Sequence, residues 1–240
     1  MANNKRKYKE DEITLVVSSR LSVTEGQDII NRYHLSLTSK NVKTKIRFYT
    51  NDNALGLSAL YNGVMQSDMI DSEIIVFCHD DLDFLKKGWD DEIYRLFKEH
   101  KDYGIIGVAG SAEFDSNAAW WNYSKKYGQV LHRHDGKSWL TTFSPLLDKD
   151  LEEVCVIDGL FMAVNRSRIS KNFDKELPGY DFYDIDFCLA NYIDGKTKIG
   201  VTTNIRLAHN SIGELSQGWY NNRIVVNDKY KDYYPIKVKK

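Results

Sequence analysis

A chain of 240 residues, 42% of them hydrophobic, is long enough to fold as one large α/β domain around a sizeable core. Its 33 basic and 34 acidic residues leave a formal charge of -1, so no global field draws it to nucleic acid, and a nucleic-acid partner is excluded on that ground. The opening MANNKRKYKEDE is charged with no apolar run behind it, and nowhere do about 18 apolar residues follow one another, which reads as a soluble, cytoplasmic protein.

In chain order, residues 1–12 read as a flexible charged tail. ITLVVS at 13–18 is a β-branched apolar run, about 24–39 has helical spacing, and TKIRFYT at 44–50 alternates as a second strand. Residues 58–69 repeat apolar side chains at helical spacing and lead into a third strand at 74–78, giving β-α-β-α-β. Residues 89–100 form an amphipathic helix with Ile93, Leu96 and Phe97 inward, and YGIIGVAG at 103–110 is another strand. This alternation predicts an open, mostly parallel twisted sheet with helices on both faces.

The rhythm breaks over 111–153, a Trp-, Tyr-, His- and Gly-rich stretch expected to be an insertion or flap. It returns with VCVIDGLFMAV at 154–164, a Pro178-Gly179 turn, YDFYDIDFCLANYI, KIGVTTNIRLAH ending at His209, and a last helix at about 216–230. The region 13–230 is expected to be a single domain, followed by a basic aromatic tail at 231–240 that frays or touches a membrane surface peripherally. Cys78, Cys155 and Cys188 sit in apolar stretches without C-x-x-C spacing, which reads as buried reduced thiols.

The most informative segment is IIVFCHDDLDF at 74–84. Five apolar residues suit a strand covered on both faces, and ligands of open α/β sheets gather outside the carboxyl ends of such strands. His79, Asp80, Asp81 and Asp83 then place an imidazole and three carboxylates together, for which a bound cation is the natural partner and a solvated acidic turn the alternative. Asp158, the pair Asp184 and Asp186, and His209 fall at other strand ends or turns. Taken singly, each also reads as structural: a turn, a helix first turn, a hydrogen-bonded histidine. Trp120 and Trp121 are candidates for stacking on a ligand or for core burial. His132 and His134 have strand spacing for one face but no third ligand nearby, which weakens a zinc reading.

The ordered set IIVFCHDDLDF, GVAGSAEF with WW at 120–121, VIDGLFMAVNRS, FYDIDFCL and LAHNS resembles glycosyltransferase family 2, specifically its prokaryotic capsule-associated branch, over roughly 13–225. The resemblance implies a GT-A fold, a nucleotide-diphosphate sugar donor, a divalent metal and inversion at the anomeric carbon. The family's Asp-x-Asp is here His79-Asp80-Asp81, so its first acid is replaced. Asp81 is then the expected metal ligand, joined by His209, with Asp80 facing the donor, His79 placed to contact the sugar, the diphosphate or the ion, and Asp83 a less favoured substitute ligand. Mixed oxygen and nitrogen ligation favours Mn²⁺, with Mg²⁺ as a substitute.

The family's Glu-Asp-x-Asp element aligns with Tyr183-Asp184-Ile185-Asp186, which makes Asp184 the expected base, Tyr183 the replacement of the Glu, and Asp186 a support of the helix start. Asp158 is expected to hydrogen-bond a sugar hydroxyl. Ser18, Ser19 and Arg20 after the first strand and Asn51, Asp52 and Asn53 after the second are expected to meet the diphosphate and base. The resemblance implies a glycan or lipid-linked hydroxyl as acceptor, in surface polysaccharide synthesis, with Trp120 or Trp121 stacking on its sugar ring. Three rivals remain: a sugar-phosphate nucleotidyltransferase, whose Gly-rich loop SSRLSVTEG lacks; a metal-dependent hydrolase; and a non-catalytic glycan-binding module of the same fold.

Overall fold

The computed structural model describes residues 7–144, 149–213 and 215–239. In chain order the elements are β1 (Lys9–Ser19), α1 (Gln27–Ser36), β2 (Lys43–Thr50), α2 (Leu57–Gln66), β3 (Ser72–Cys78), β4 (Leu82–Phe84), α3 (Trp89–Glu99), β5 (Tyr103–Gly107), β6 (Ala109–Ser111) and β7 (Glu113–Phe114). A 3₁₀ turn at Trp120–Asn122 precedes β8 (Lys126–His134), β9 (Lys137–Thr142), β10 (Glu152–Val154), β11 (Val156–Ile157), β12 (Phe161–Asn165), α4 (Tyr183–Ile193), β13 (Lys198–Val201), β14 (Leu207–His209), α5 (Gln217–Tyr230) and β15 (Ile236–Lys237).

The main sheet has seven strands in the order β10-β13-β5-β12-β3-β1-β2. Strands β1, β2, β3, β5 and β13 point one way, while β12 and β10 oppose their neighbours. The apolar run Ile74–Cys78 lies between β1 and β12, and Ile75, Val76, Phe77 and Cys78 are wholly buried, which accounts for a strand without alternation. Because β1, β2 and β3 are parallel and adjacent, the loops following Ser19, Thr50 and Cys78 emerge side by side at one sheet edge.

The helices follow from their sequence signals. Ser22 and Glu25 exchange side-chain to backbone hydrogen bonds just ahead of α1, a capping box. Trp89, Ile93, Leu96 and Phe97 recur at helical spacing and are buried under α3. Ser216 Oγ accepts from the Trp219 amide at 3.0 Å and starts α5. All three cysteines are buried and free.

Three apolar runs are divided, two of them, 103–110 and 198–209, against the expectation of a continuous strand. The run 103–110 splits into β5 and β6, 154–164 into β10, β11 and β12, and 198–209 into β13 and β14, with the later pieces of the first and last crossing into a second sheet of order β11-β6-β8-β14-β4, on which β9 pairs with β8. Both sheets are buried where the chain crosses, so hydrophobicity alone does not mark the change. Glycine does: a Cβ on Gly110 would stand 2.3 Å from the Val156 carbonyl oxygen, and Gly128, at φ 115°, would meet the Val108 carbonyl oxygen at 2.1 Å.

The segment 111–153 supplies β7, the 3₁₀ turn and the β8–β9 hairpin; its residues 145–148 lie outside the described residues. At the ends, residues 1–6 of the expected N-terminal tail also lie outside them, while Lys9–Glu12 belong to β1. The C-terminal segment is not frayed: Ile236 and Lys237 pair antiparallel with Phe114 and Glu113, and Ile236 is buried. Among the described residues no helix is long and apolar enough to cross a membrane.

Candidate active site

Strand β3 ends at Cys78, and the acidic turn that follows is held from several sides. The Tyr33 hydroxyl donates to the His79 carbonyl and accepts from the Leu82 amide at 3.3 Å, while Arg32 Nη2 donates to the Asp80 carbonyl at 3.0 Å. Asp83 is occupied by Arg32 (3.1 Å), Arg133 (2.6 Å) and the Asn210 amide (3.1 Å), so it braces the turn and is not a substitute ligand. The short ladder of β4 with β14 places Leu82 opposite His209, and the Asn210 amide donates to the Asp81 carbonyl at 3.0 Å. Asp81 and His209 are thereby brought together although far apart in the chain.

Asp81 Oδ1 stands 3.3 Å from His209 Nε2 and 4.0 Å from His79 Nδ1, and one ligand atom from each of the three residues lies within 4.8 Å of the others. Asp81 Oδ1 is buried and accepts no well-aligned hydrogen bond. Burial raises the Asp81 pKa, but the His209 and His79 imidazoles outweigh it and hold the carboxyl below its ordinary range. Burial lowers the His209 pKa, and Asp81 reverses that to a net rise; His79 is lowered by burial and by the charge of His209. An anionic oxygen without an aligned donor, faced by two imidazoles, is a donor set that suits a divalent cation of borderline softness.

The second acidic pair is built where β11 meets α4. Asp158 Oδ1 accepts from the Leu160 amide at 3.0 Å, and Asp184 accepts from the Gly159 amide at 2.7 Å and from its neighbour Ile185 at 2.8 Å. Helix α4 begins at Tyr183 after Phe182, which adopts a left-handed φ of 66°, so Asp184 lies in the first turn with its carboxylate on these amides. Burial, and then the nearby Asp158 carboxylate, raise the Asp184 pKa to about 7 against the pull of the amides. Asp186 does not support the helix start as expected. It points into α5, where Lys229 Nζ stands 2.7 Å away and the Tyr230 hydroxyl donates at 3.0 Å.

A cleft of about 540 Å³ is lined by His79, His209, Asp158 and Asp184 together with Trp121 and Trp219 among others. Trp120 is buried against Phe143, with ring centroids 5.0 Å apart, and touches the cleft from beneath, while its neighbour Trp121 is half-buried on the cleft wall near Trp219. The His132/His134 pair does not form a metal site. His134 is exposed beside Asp135, whereas His132 stacks on Trp139 and lies opposite His209 across the β8–β14 ladder.

Of the residues expected at the nucleotide, Ser18 and Arg20 lie at the end of β1, and Ser19 Oγ donates to Asp80 Oδ2. Asn53 is exposed in the turn after β2 with a left-handed φ of 54°. Asn51 is a correction. It is 3% exposed, and its side-chain amide and oxygen both bond the Leu55 backbone, so it closes the loop 51–55 and is not free to read a base. None of these residues lines the cleft that holds Asp184.

Arg32, Tyr33, Asn210 and Ser211, whose hydroxyl is 3.0 Å from His209 Nε2, were missed in the sequence reading. Arg32 and Tyr33 lie on α1, outside every motif of the sequence, while Asn210 and Ser211 close the LAHNS motif, in which only His209 was assigned a role. Tyr183, noted only as a replaced Glu, places its hydroxyl 3.0 Å from His79 Nε2.

The comparisons accord with this geometry. A family described as "Glycosyltransferase like family" matches residues 27–233. No curated protein matches the sequence. The crystal structure of GalNAc-T7 with UDP, GalNAc and Mn²⁺ is similar with a TM-score of 0.52 at 10% identity, over 97% of this chain and 50% of that one, so this chain spans half the length of that protein. Two further structures are A197 from STIV (TM-score 0.46, 11% identity, 84% and 86% covered) and the catalytic domain of Drosophila β1,4-galactosyltransferase 7 with xylobiose (0.49, 13%, 88% and 79%). At such identities a structural likeness speaks to fold alone. The family match runs from α1 through α5 and takes in the acidic turn and α4, and the chain belongs to the glycosyltransferase-like family of the family 2 type, a glycosyltransferase of the GT-A fold.

Proposed function

We propose that the chain moves a sugar from a nucleotide-diphosphate donor to a hydroxyl of a glycan or lipid-linked acceptor, with inversion at the anomeric carbon, in surface polysaccharide synthesis. The observation that carries this reading is that His79 and His209, which form a cluster with Asp81, line the same cleft as the Asp158 and Asp184 pair. A nucleotidyltransferase reading has no Gly-rich phosphate loop to rest on.

Asp184 is the base. Its pKa of about 7 leaves it able to take a proton at neutral pH, and its two backbone amides fix the carboxylate. The acceptor oxygen attacks the anomeric carbon, its proton passes to Asp184, and the bond to the diphosphate oxygen breaks with its electron pair leaving on the nucleotide. Asp158 holds a sugar hydroxyl, and Trp121 offers a ring face to the acceptor. Ser18, Arg20, Asp80 and Asn53, on adjoining loops, face the nucleotide. Asp81 and His209 would hold a divalent cation, with Asp81 Oδ1, which accepts no aligned hydrogen bond, as its carboxylate ligand; Mn²⁺ would be preferred and Mg²⁺ the substitute. Such a cation supplies positive charge to the departing diphosphate. GalNAc-T7, whose structure carries UDP and Mn²⁺, supports this choice at the level of fold.

The test is a screen of nucleotide sugars with and without Mn²⁺, read by thermal shift and by analysis of the product. A sugar joined to acceptor with inverted configuration is the expected result. Donor consumed only to free sugar would make the chain a hydrolase, and no donor binding in any metal would leave a non-catalytic module of the fold.

A further inference from the structure

The chain departs from the Asp-x-Asp and Glu-Asp-x-Asp patterns at two positions, His79 and Tyr183, which lie 104 residues apart. In the folded protein the two departures touch: the Tyr183 hydroxyl is 3.0 Å from His79 Nε2. The other ring nitrogen of His79, Nδ1, consequently faces Asp81 Oδ1 at 4.0 Å, and the His79 and His209 rings are 5.5 Å apart. Tyr183 is itself immobilised, 4% exposed and edge-on to Tyr61 with centroids 5.4 Å apart. It reaches His79 across Gly159, where a Cβ would stand 2.2 Å from the hydroxyl oxygen. A glycine is needed there to admit that contact.

We infer that Tyr183 is a positioning residue that turns His79 into a third ligand of the cation, and that this pair biases the site toward Mn²⁺ over Mg²⁺. The inference rests on the proposed reading of the cluster as a cation site. A histidine that ligates through one nitrogen carries its hydrogen on the other and donates it to a fixed acceptor, which sets both tautomer and ring orientation. The Tyr183 oxygen is that acceptor, leaving the Nδ1 lone pair directed at the space between Asp81 and His209. The resulting set is two imidazoles and one carboxylate. Mg²⁺ favours an all-oxygen shell, whereas first-row transition ions accept imidazole, so each nitrogen added raises the discrimination. An Asp at position 79 would weaken that bias, leaving His209 as the one imidazole.

The measurement is direct titration of the full chain with Mn²⁺, Co²⁺ and Mg²⁺ alone, with the visible spectrum of bound Co²⁺ as a second readout. Tyr183→Phe, which keeps the buried ring, is expected to weaken Mn²⁺ binding by about 10- to 100-fold and to shift the Co²⁺ bands. The same change in a His79→Ala background is expected to have no further effect, because Tyr183 acts only through His79. His79→Asp is expected to narrow the ratio of Mn²⁺ to Mg²⁺ affinity. Unchanged Mn²⁺ affinity and Co²⁺ spectrum in Tyr183→Phe, or an equal loss with and without His79, overturns the inference. If Asp81→Ala and His209→Ala abolish Mn²⁺ binding while His79→Ala does not, the cation site stands and only this inference falls. A wild-type chain that binds none of the three ions removes both.

Discussion

Asp81 Oδ1 and His209 Nε2 stand 3.3 Å apart because the β4–β14 ladder sets Leu82 opposite His209 one residue beyond the aspartate. The two side chains converge on a point that neither the strand nor the turn alone would define. Replacing either by Ala is expected to abolish the Mn²⁺-dependent part of donor binding, a loss of tenfold or more in affinity. Calorimetric titration of the donor in Mn²⁺ and in a chelator measures it. Equal donor affinity in the two solutions, for wild type and variants alike, would remove the cation from the mechanism.

Asp184 has a pKa raised to about 7, so the transfer rate is expected to climb with pH through that value as the carboxylate loses its proton. Asp184→Asn is expected to lower kcat by about 10²- to 10⁴-fold while leaving the donor dissociation constant unchanged. Stability moves the other way. Between the ordinary value of 3.8 and about 7 the folded chain holds a proton that the unfolded chain has lost, so this residue's contribution weakens as pH rises across that window. Denaturant midpoints at pH 5 and pH 8 are expected to lie closer together in Asp184→Asn than in wild type.

Asp186, two residues on, is expected to behave differently. Its carboxylate is 2% exposed and joins α4 to Lys229 and Tyr230 of α5. Removing a buried, charge-assisted acceptor costs about 1.5–3 kcal/mol, which lowers the melting midpoint by about 3–12 °C in a domain of this size. Asp186→Ala is expected to show that loss in calorimetry with donor affinity retained below the transition.

The adjacent tryptophans are expected to separate in the same manner. Trp120 is 5% exposed against Phe143, and Trp120→Ala is expected to cost about 3–5 kcal/mol in denaturant unfolding. Trp121 lies half-buried on the cleft wall, and Trp121→Ala is expected to raise the acceptor KM with little change in the donor KM or in stability. Steady-state kinetics with each substrate varied in turn distinguishes the two.

Much of this protein is legible in the sequence because its signals are local. The unbroken run at 74–78 identifies a doubly covered strand, the spacing of Trp89, Ile93, Leu96 and Phe97 identifies a buried helix face, and the acidic turn follows directly from the strand. Resemblance adds the order of Asp81, Asp158, Asp184 and His209, and the fold and glycosyltransferase family with it. The divided strands at 103–111 and 154–165 are not legible in this way, since an apolar run reads the same whichever buried sheet receives it.

Side-chain partners are decided only when the chain closes. Asn51 has the composition of a base-reading residue, but a loop contact of four residues' reach takes both of its polar groups. Asp83 and Asp81 are chemically the same group in one turn; Arg32 and Arg133 neutralise the first, and two imidazoles face the second. The sequence by itself determined the strands, the helices and the titratable groups at the sheet edge, because periodicity and residue chemistry are carried by neighbours in the chain. Tertiary structure alone decided which of those groups meet, and so which carboxylate is braced and which is open to a ligand, because those contacts join residues 50 to 130 positions apart.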